Sequence, residues 1–331
     1  MGHIRKLAKR LVENETSIIS AWARESLFLR QLRKDSKLTF KVADRLGIKK
    51  LTSTRFFFPN ENSETIFILA GGATVNRLSA DQFRQIDSAT SIGINFWPIH
   101  DFVPTALSTE TDNRTGGPTQ SNQFLSEKIN KYENSPNDGP IILVLRPPWP
   151  PNPRRLYSLT GASNQLTYMY GRANVITRNP NNLDGDLERI VRRVARKSLP
   201  PSVLPDNGSS VVRLTFLALM QGFKHIVWVG VDQSSGPYFW TEDPIPEKYR
   251  DAAAMFPRES GRPHSTSSAE NRPFSNDVYL RSLARAVSLA TESQIYVAHS
   301  DSELSDVVQL YPWTDRQRAS RRRRGETVGK S

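Results

Sequence analysis

Taking a proton from a hydroxyl near neutral pH is work suited to an imidazole, and the chain has five histidines. His3 lies near the start, and His225 directly precedes the apolar run Ile226-Val227-Trp228-Val229-Gly230-Val231. His100, His264 and His299 instead follow segments that read as strands, and spacing alone does not decide among them. Asp232 closes that same apolar run and puts a carboxylate at a strand exit, where it serves a site or caps the next loop. Tyr238, in that loop beside Trp240, carries a phenol that can donate to a leaving phosphate or simply pack. Gly71 and Gly72 follow the apolar run 65–70, and without side chains their N–H groups can approach a phosphate or nucleotide. The pair equally suits a tight turn, and it matches neither G-x-G-x-x-G nor the P-loop, which argues against a standard NAD or ATP site. Asn95 ends the run 91–96, where a carboxamide can donate to and accept from a base or ribose.

Metal and acyl-transfer chemistry have little to stand on. There is no cysteine, no H-E-x-x-H and no G-x-S-x-G. The D-x-D at Asp184-Gly185-Asp186 falls where a helix begins, over 182–189, rather than at a strand end. We therefore expect no metal and no other cofactor.

These residues need a scaffold, and the apolar pattern supplies one. Continuous apolar runs at 65–70, 91–96, 141–145, 226–232 and 294–298 read as strands buried on both faces. Between them lie a short helix after Ser79, a possible N-cap, an apolar helix over 211–220 ended by Gly222, and an amphipathic helix over 277–291. Strand and helix in alternation predict a doubly wound α/β sheet, with ligands beyond the carboxyl ends of its strands. Residues 1–60 read as a basic helical N-terminal extension and 61–312 as the main domain. Within the latter, residues 108–205 read as an irregular insertion, polar over 108–140 and proline-rich from Pro147.

The 331 residues carry a formal charge of +12, and residues 316–331 contribute half of it through six arginines and one lysine against Glu326. A run of that kind buries no apolar surface, so 313–331 reads as a disordered basic tail. Arg5, Lys6, Lys9 and Arg10 add charge at the other end, with no signal-peptide core behind them. Both ends suit an anionic membrane surface or nucleic acid. The aromatics fall mostly in strands or proline-rich loops, which disfavours a nucleic-acid groove.

Together the motifs resemble the bacterial sialyltransferases of glycosyltransferase family 42. Gly71-Gly72, the segment ending Ile86-Asp87 and the run Ile92-Gly93-Ile94-Asn95-Phe96 are similar to that family's "GNGPSL…ID" followed by "CNQF". Gly208-Ser209-Ser210, then Gln221-Gly222-Phe223-Lys224-His225-Ile226 and Val229-Gly230-Val231-Asp232, are similar to its "TSG…LGYKEIYLSGID". The motility-associated-factor type glycosyltransferases share much of this pattern. The resemblance covers about 64–104 and 206–310, and departs from the family where Gly71 replaces an asparagine and Ser234 a tyrosine.

The resemblance implies a modified Rossmann-like sheet of the GT-A type and an inverting, metal-independent transfer of sialic acid or a similar acid sugar. The donor would be CMP-activated and the acceptor a bacterial surface glycan such as lipopolysaccharide. Asn95, Ser209 and Ser210 would contact the nucleotide alongside Gly71, Gly72 and Asp232. Tyr238 would meet the departing phosphate, and His264, in the loop where the family keeps its base, would deprotonate the acceptor. The expected setting is cytoplasmic, peripheral on the inner membrane. A related transferase with another donor, or a non-catalytic nucleotide- or nucleic-acid-binding protein, are the competing readings.

Overall fold

The computed structural model describes residues 18–51, 63–110, 124, 127–128, 141–145, 167–174, 177, 179–196, 199, 202–232, 236–257 and 274–314. Its centre is a parallel sheet. The strands are β1 (Lys49–Lys50), β2 (Thr65–Leu69), β3 (Thr90–Ile94), β4 (Ala106–Glu110), β5 (Ile141–Leu145), β6 (Thr167–Asn174), β7 (Val203–Asp206), β8 (His225–Val229), β9 (Gln294–Val297) and β10 (Gln309–Leu310). Nine run in the order β1-β6-β5-β4-β3-β2-β8-β9-β10, and β7 pairs with the far end of β6. The helices are α1 (Ile18–Leu46), α2 (Ala80–Asp87), α3 (Pro180–Ala195), α4 (Ser210–Gln221), α5 (Arg250–Met255) and α6 (Asn276–Ala290). The arrangement is α/β and compatible with a Rossmann-like fold.

Continuous apolar strands arise because both faces of the sheet are covered. In β2, Ile66 and Ile68 join the core under α3, α4 and α6, while Phe67 and Leu69 join the opposite core with Trp97, Trp240 and Tyr249. α4 is buried along its length and stops at Gly222, whose φ of 87° is the left-handed conformation that glycine adopts freely. α2 opens on a capping box. The Gln82 N–H donates to Ser79 Oγ (3.3 Å), and the Ser79 N–H donates back to Gln82 Oε1 (2.8 Å).

α1 packs on β6, beside the edge strand β1, and contributes to both cores, Phe28 and Leu32 to one and Ala43 and Leu46 to the other. It lies so close to β6 that a Cβ on Gly171 would sit 2.3 Å from Thr39 Oγ1. Arg24, buried beneath it, donates to both carboxylate oxygens of Asp186 on α3, at 2.6 and 3.2 Å. Asp186 of the D-x-D is thus held by Arg24 and Arg189, and Asp184 by Arg285.

The irregular insertion expected over 108–205 is corrected for its described residues. β4 continues to Glu110, and β5, β6, α3 and β7 are all regular. β6 reads Thr-Tyr-Met-Tyr-Gly-Arg-Ala-Asn, polar for a strand; α1 packs against it and β5 pairs it, so neighbours decide its state. The segment that follows β5 from Pro147, the N-terminal cluster Arg5–Arg10 and residues 315–331 of the expected tail lie outside the described residues. Trp313 and Thr314, expected in that disordered tail, are instead held by the fold: Trp313 stacks on Phe67 and Thr314 donates to Gln85. No described helix is long and apolar enough to cross a membrane.

Candidate functional site

The chain moves outward from β2 through β3, β4, β5 and β6, then returns to β8 on the other flank of β2. Strand order reverses there, between β2 and β8, and in open α/β sheets ligands bind beyond the carboxyl ends of the strands at such a point. Residues 70–74, 95–96 and 230–232 meet at that edge.

Asp232 and the glycine turn form one unit. The Thr74 N–H and Oγ both donate to the Asp232 carboxylate, at 2.9 and 2.8 Å. A Cβ on Gly72 would lie 2.4 Å from Asp232 Oδ2 and 2.6 Å from the Gly230 carbonyl, so that space belongs to the protein itself. Gly230 has φ 64°, and a Cβ there would lie 2.6 Å from the Ala70 carbonyl. The glycines just after β2 and β8 therefore let two strand exits touch. Burial raises the Asp232 carboxyl above its ordinary pKa, and the two Thr74 bonds offset part of that rise.

Tyr238 joins the same unit through its backbone, which bridges Gly72, while the Phe239 N–H donates to the Gly71 carbonyl (3.0 Å). Its ring stacks on Trp240 with centroids 4.4 Å apart. Both rings border Gly71, where a Cβ would be 3.1 Å from Trp240. Phe96 closes the cluster, 5.9 Å from Trp240 and 4.8 Å from Phe256. Arg77, on the rim, pairs with Glu242.

Asn95 sits beside Phe96 at φ 47°, an uncommon backbone for a residue with a side chain. Its N–H donates to the Ser108 carbonyl (2.8 Å), while its Oδ1 is buried with no hydrogen-bond partner. An uncommon backbone and an orphaned buried acceptor thus coincide in one residue at the sheet edge.

Ser209 and Ser210 belong to a second polar group at the ends of β4, β6 and β7. Ser209 is the N-cap of α4 but makes no side-chain cap bond. Ser210 Oγ donates to Glu110 Oε1 (2.8 Å). Arg213, fully buried, donates to Asp206 Oδ1 (2.9 Å), to Ser210 Oγ (2.8 Å) and to Glu110. Burial opposes its charge, but Asp206, Tyr170 and Glu110 outweigh that and hold its pKa above the ordinary value. Ser108 links the two groups: its carbonyl takes the Asn95 N–H and its Oγ meets Tyr170 OH at 3.0 Å.

The structure thus brings Gly71, Gly72, Asp232 and Tyr238 into direct contact, with Asn95 adjoining through Phe96. Ser209 and Ser210 stand further along the edge. The histidines divide. His100 is sandwiched between Phe83 and Trp97, at 5.0 and 4.9 Å, and its Nδ1 accepts the Phe102 N–H (2.9 Å). Burial, with Lys248 nearby, lowers its pKa to about 4, so it is a neutral packing group. His299 follows β9 at the same sheet edge, where its Nδ1 accepts the Asp301 N–H (3.1 Å). His264 lies outside the described residues.

Thr74, Glu110, Asp206 and Arg213 were not singled out from the sequence. Arg213 left a signal: one cation inside the apolar helix 211–220 has to be buried, and a buried cation needs acids. Among the described residues, no group of three or more His, Asp or Glu side chains is placed to hold a metal ion.

Fold and site together define a parallel α/β protein in which the glycine turn, Asp232 and an aromatic cluster meet at the point where strand order reverses. Neither family models nor curated proteins gave a match to the chain.

Proposed function

We propose that the chain is a glycosyltransferase of the GT-A type that takes its sugar from a CMP-activated donor. The observation that carries the reading is the orphaned Asn95 Oδ1 at the carboxyl edge of the sheet. An acceptor without a partner fits a base that offers an amino donor, and cytosine presents its N4 amino group where uracil presents an oxygen. The half-buried rings of Phe96 and Tyr238, the latter backed by the buried Trp240, offer stacking surface beside it.

In the proposed reaction an acceptor hydroxyl attacks the anomeric carbon of an acidic sugar such as sialic acid while the bond to CMP breaks. The configuration inverts because displacement is single and in line. Tyr238 donates to the leaving phosphate. His264 takes the hydroxyl proton, an assignment resting on the resemblance alone; among the described histidines His299 is the alternative and His100, with its low pKa, is not. The acceptor is a surface glycan, and no metal takes part.

Calorimetry with CMP and UMP tests the reading. CMP should bind more tightly than UMP, and Asn95→Ala should weaken CMP by about 1–2 kcal/mol, the worth of a hydrogen bond or two, while leaving UMP unchanged. Equal affinity for both nucleotides, or CMP affinity untouched in a folded Asn95→Ala protein, would refute it.

A further inference from the structure

α1 has one face in the cores and one in water, and the outer face is unusual. Its exposed positions are Ile19, Trp22, Ser26, Arg30, Arg33, Lys34, Lys37, Lys41, Asp44 and Arg45. At 100° per residue these fall within an arc of about 140°, along a helix of roughly 43 Å. Six cations stand against a single acid there, and none of the six pairs with a described acid. At the N-terminal end of the stripe, Ile19 is 83% and Trp22 68% exposed. They are the two most exposed large apolar side chains among the described residues.

Neither feature follows from holding α1 on the sheet, which Arg24, Phe28, Leu32 and Thr39 accomplish from the inner face. A lone exposed apolar residue needs no explanation, but an isoleucine and a tryptophan one turn apart and continuous with a cationic stripe do. We infer that the outer face of α1 is a docking surface for an anionic lipid bilayer. The helix lies flat, its six cations meet lipid phosphates, and Ile19 and Trp22 enter the boundary between headgroups and acyl chains. Charge complementarity commits the face to an anionic partner. The apolar pair selects a bilayer over nucleic acid, since an aliphatic side chain gains nothing from a sugar-phosphate backbone. The inference is independent of the nucleotide bound in the crevice.

The test is co-sedimentation of the full chain with vesicles of phosphatidylcholine alone and of phosphatidylcholine rich in phosphatidylglycerol. The wild type should bind the anionic vesicles and not the neutral ones. Arg33→Glu/Lys37→Glu/Lys41→Glu should lower partitioning at least about tenfold, since each basic residue near the surface contributes. Ile19→Ser/Trp22→Ser, which leaves the charge unaltered, should lower it by roughly tenfold through the lost apolar insertion. All five positions face solvent, so far-ultraviolet circular dichroism should be the same in each protein. Binding by both variants at the wild-type level overturns the inference and leaves lipid affinity to other basic segments. So does equal wild-type binding to neutral vesicles. Capture of an RNA duplex by the wild type, lost in the charge-reversed variant while vesicles bind neither protein, overturns it in favour of nucleic acid. A dimer that dissociates in the Ile19→Ser/Trp22→Ser variant, with vesicle binding unchanged, assigns the face to a second copy and overturns it as well.

Discussion

Gly72 and Gly71 adjoin in sequence but are glycine for different reasons. At Gly72 a methyl group would meet a carboxylate oxygen at 2.4 Å and a carbonyl at 2.6 Å, neither of which can retreat without opening the contact between β2 and β8. At Gly71 it would meet only ring edges of Trp240 and Tyr238, at 3.1 to 3.3 Å. Gly72→Ala should therefore destabilise the fold by about 1–3 kcal/mol, the usual cost of overpacking, and Gly71→Ala by less. Urea denaturation of the two variants checks the order. A Gly71→Ala protein less stable than Gly72→Ala would show that the rings, rather than the carboxylate, set the limit. Asp232 belongs to the same argument. With both Thr74 donors on it, its first duty is to join two strand exits.

Among the elements, α2 shows local chemistry and tertiary packing acting together. Its eight residues are too few for a stable isolated helix, so it depends on the burial of Ile86 and on its capping box. Ser79→Ala removes the acceptor of the Gln82 N–H and should cost about 1 kcal/mol. Unchanged stability in equilibrium denaturation would mean that Ile86 alone holds the helix. β6 is the opposite case. Its polar sequence gives little strand signal, and its state follows from β5 on one side and from β1 and β7 on the other.

For the whole molecule, His100 links stability to pH. It stacks on Phe83 and Trp97 and lies 5.4 Å from Phe239, so α2, the turn after β3 and the loop after β8 all press on one imidazole. Its pKa of about 4 in the fold lies below the ordinary 6.5. Between those values the unfolded chain takes up a proton that the folded chain refuses. Stability from this group is therefore complete above about pH 6.5 and is lost as pH falls toward 4, by up to about 3 kcal/mol. His100→Phe keeps a flat ring in the stack and removes the titration, so its melting temperature should fall less than that of the wild type across this window. Parallel pH profiles for the two proteins would show that the loss of stability comes from other groups.

Whereas β4, β6 and β7 were hidden in what read as an irregular insertion, the sequence by itself determined five apolar strands (β2, β3, β5, β8 and β9) and the helices after Ser79 and Ser209 and before Gln294. Each is a local matter: an apolar run of strand length, a capping serine, or an acid or amide at the end of a run. The places of Asn95 and Asp232 just beyond β3 and β8 were legible in that way. Only the tertiary structure decided what these residues touch. That β8 returns beside β2 makes Asp232 the partner of Thr74, 158 positions away. That α2 and the loop after β8 close over His100 makes it a neutral packing group rather than a base. That α4 lies across the ends of β4 and β7 surrounds Arg213 with Glu110 and Asp206. The sign of a pKa shift, the need for a glycine and the exposure of Trp22 depend on neighbours remote in the chain, and no local pattern of residue types encodes them.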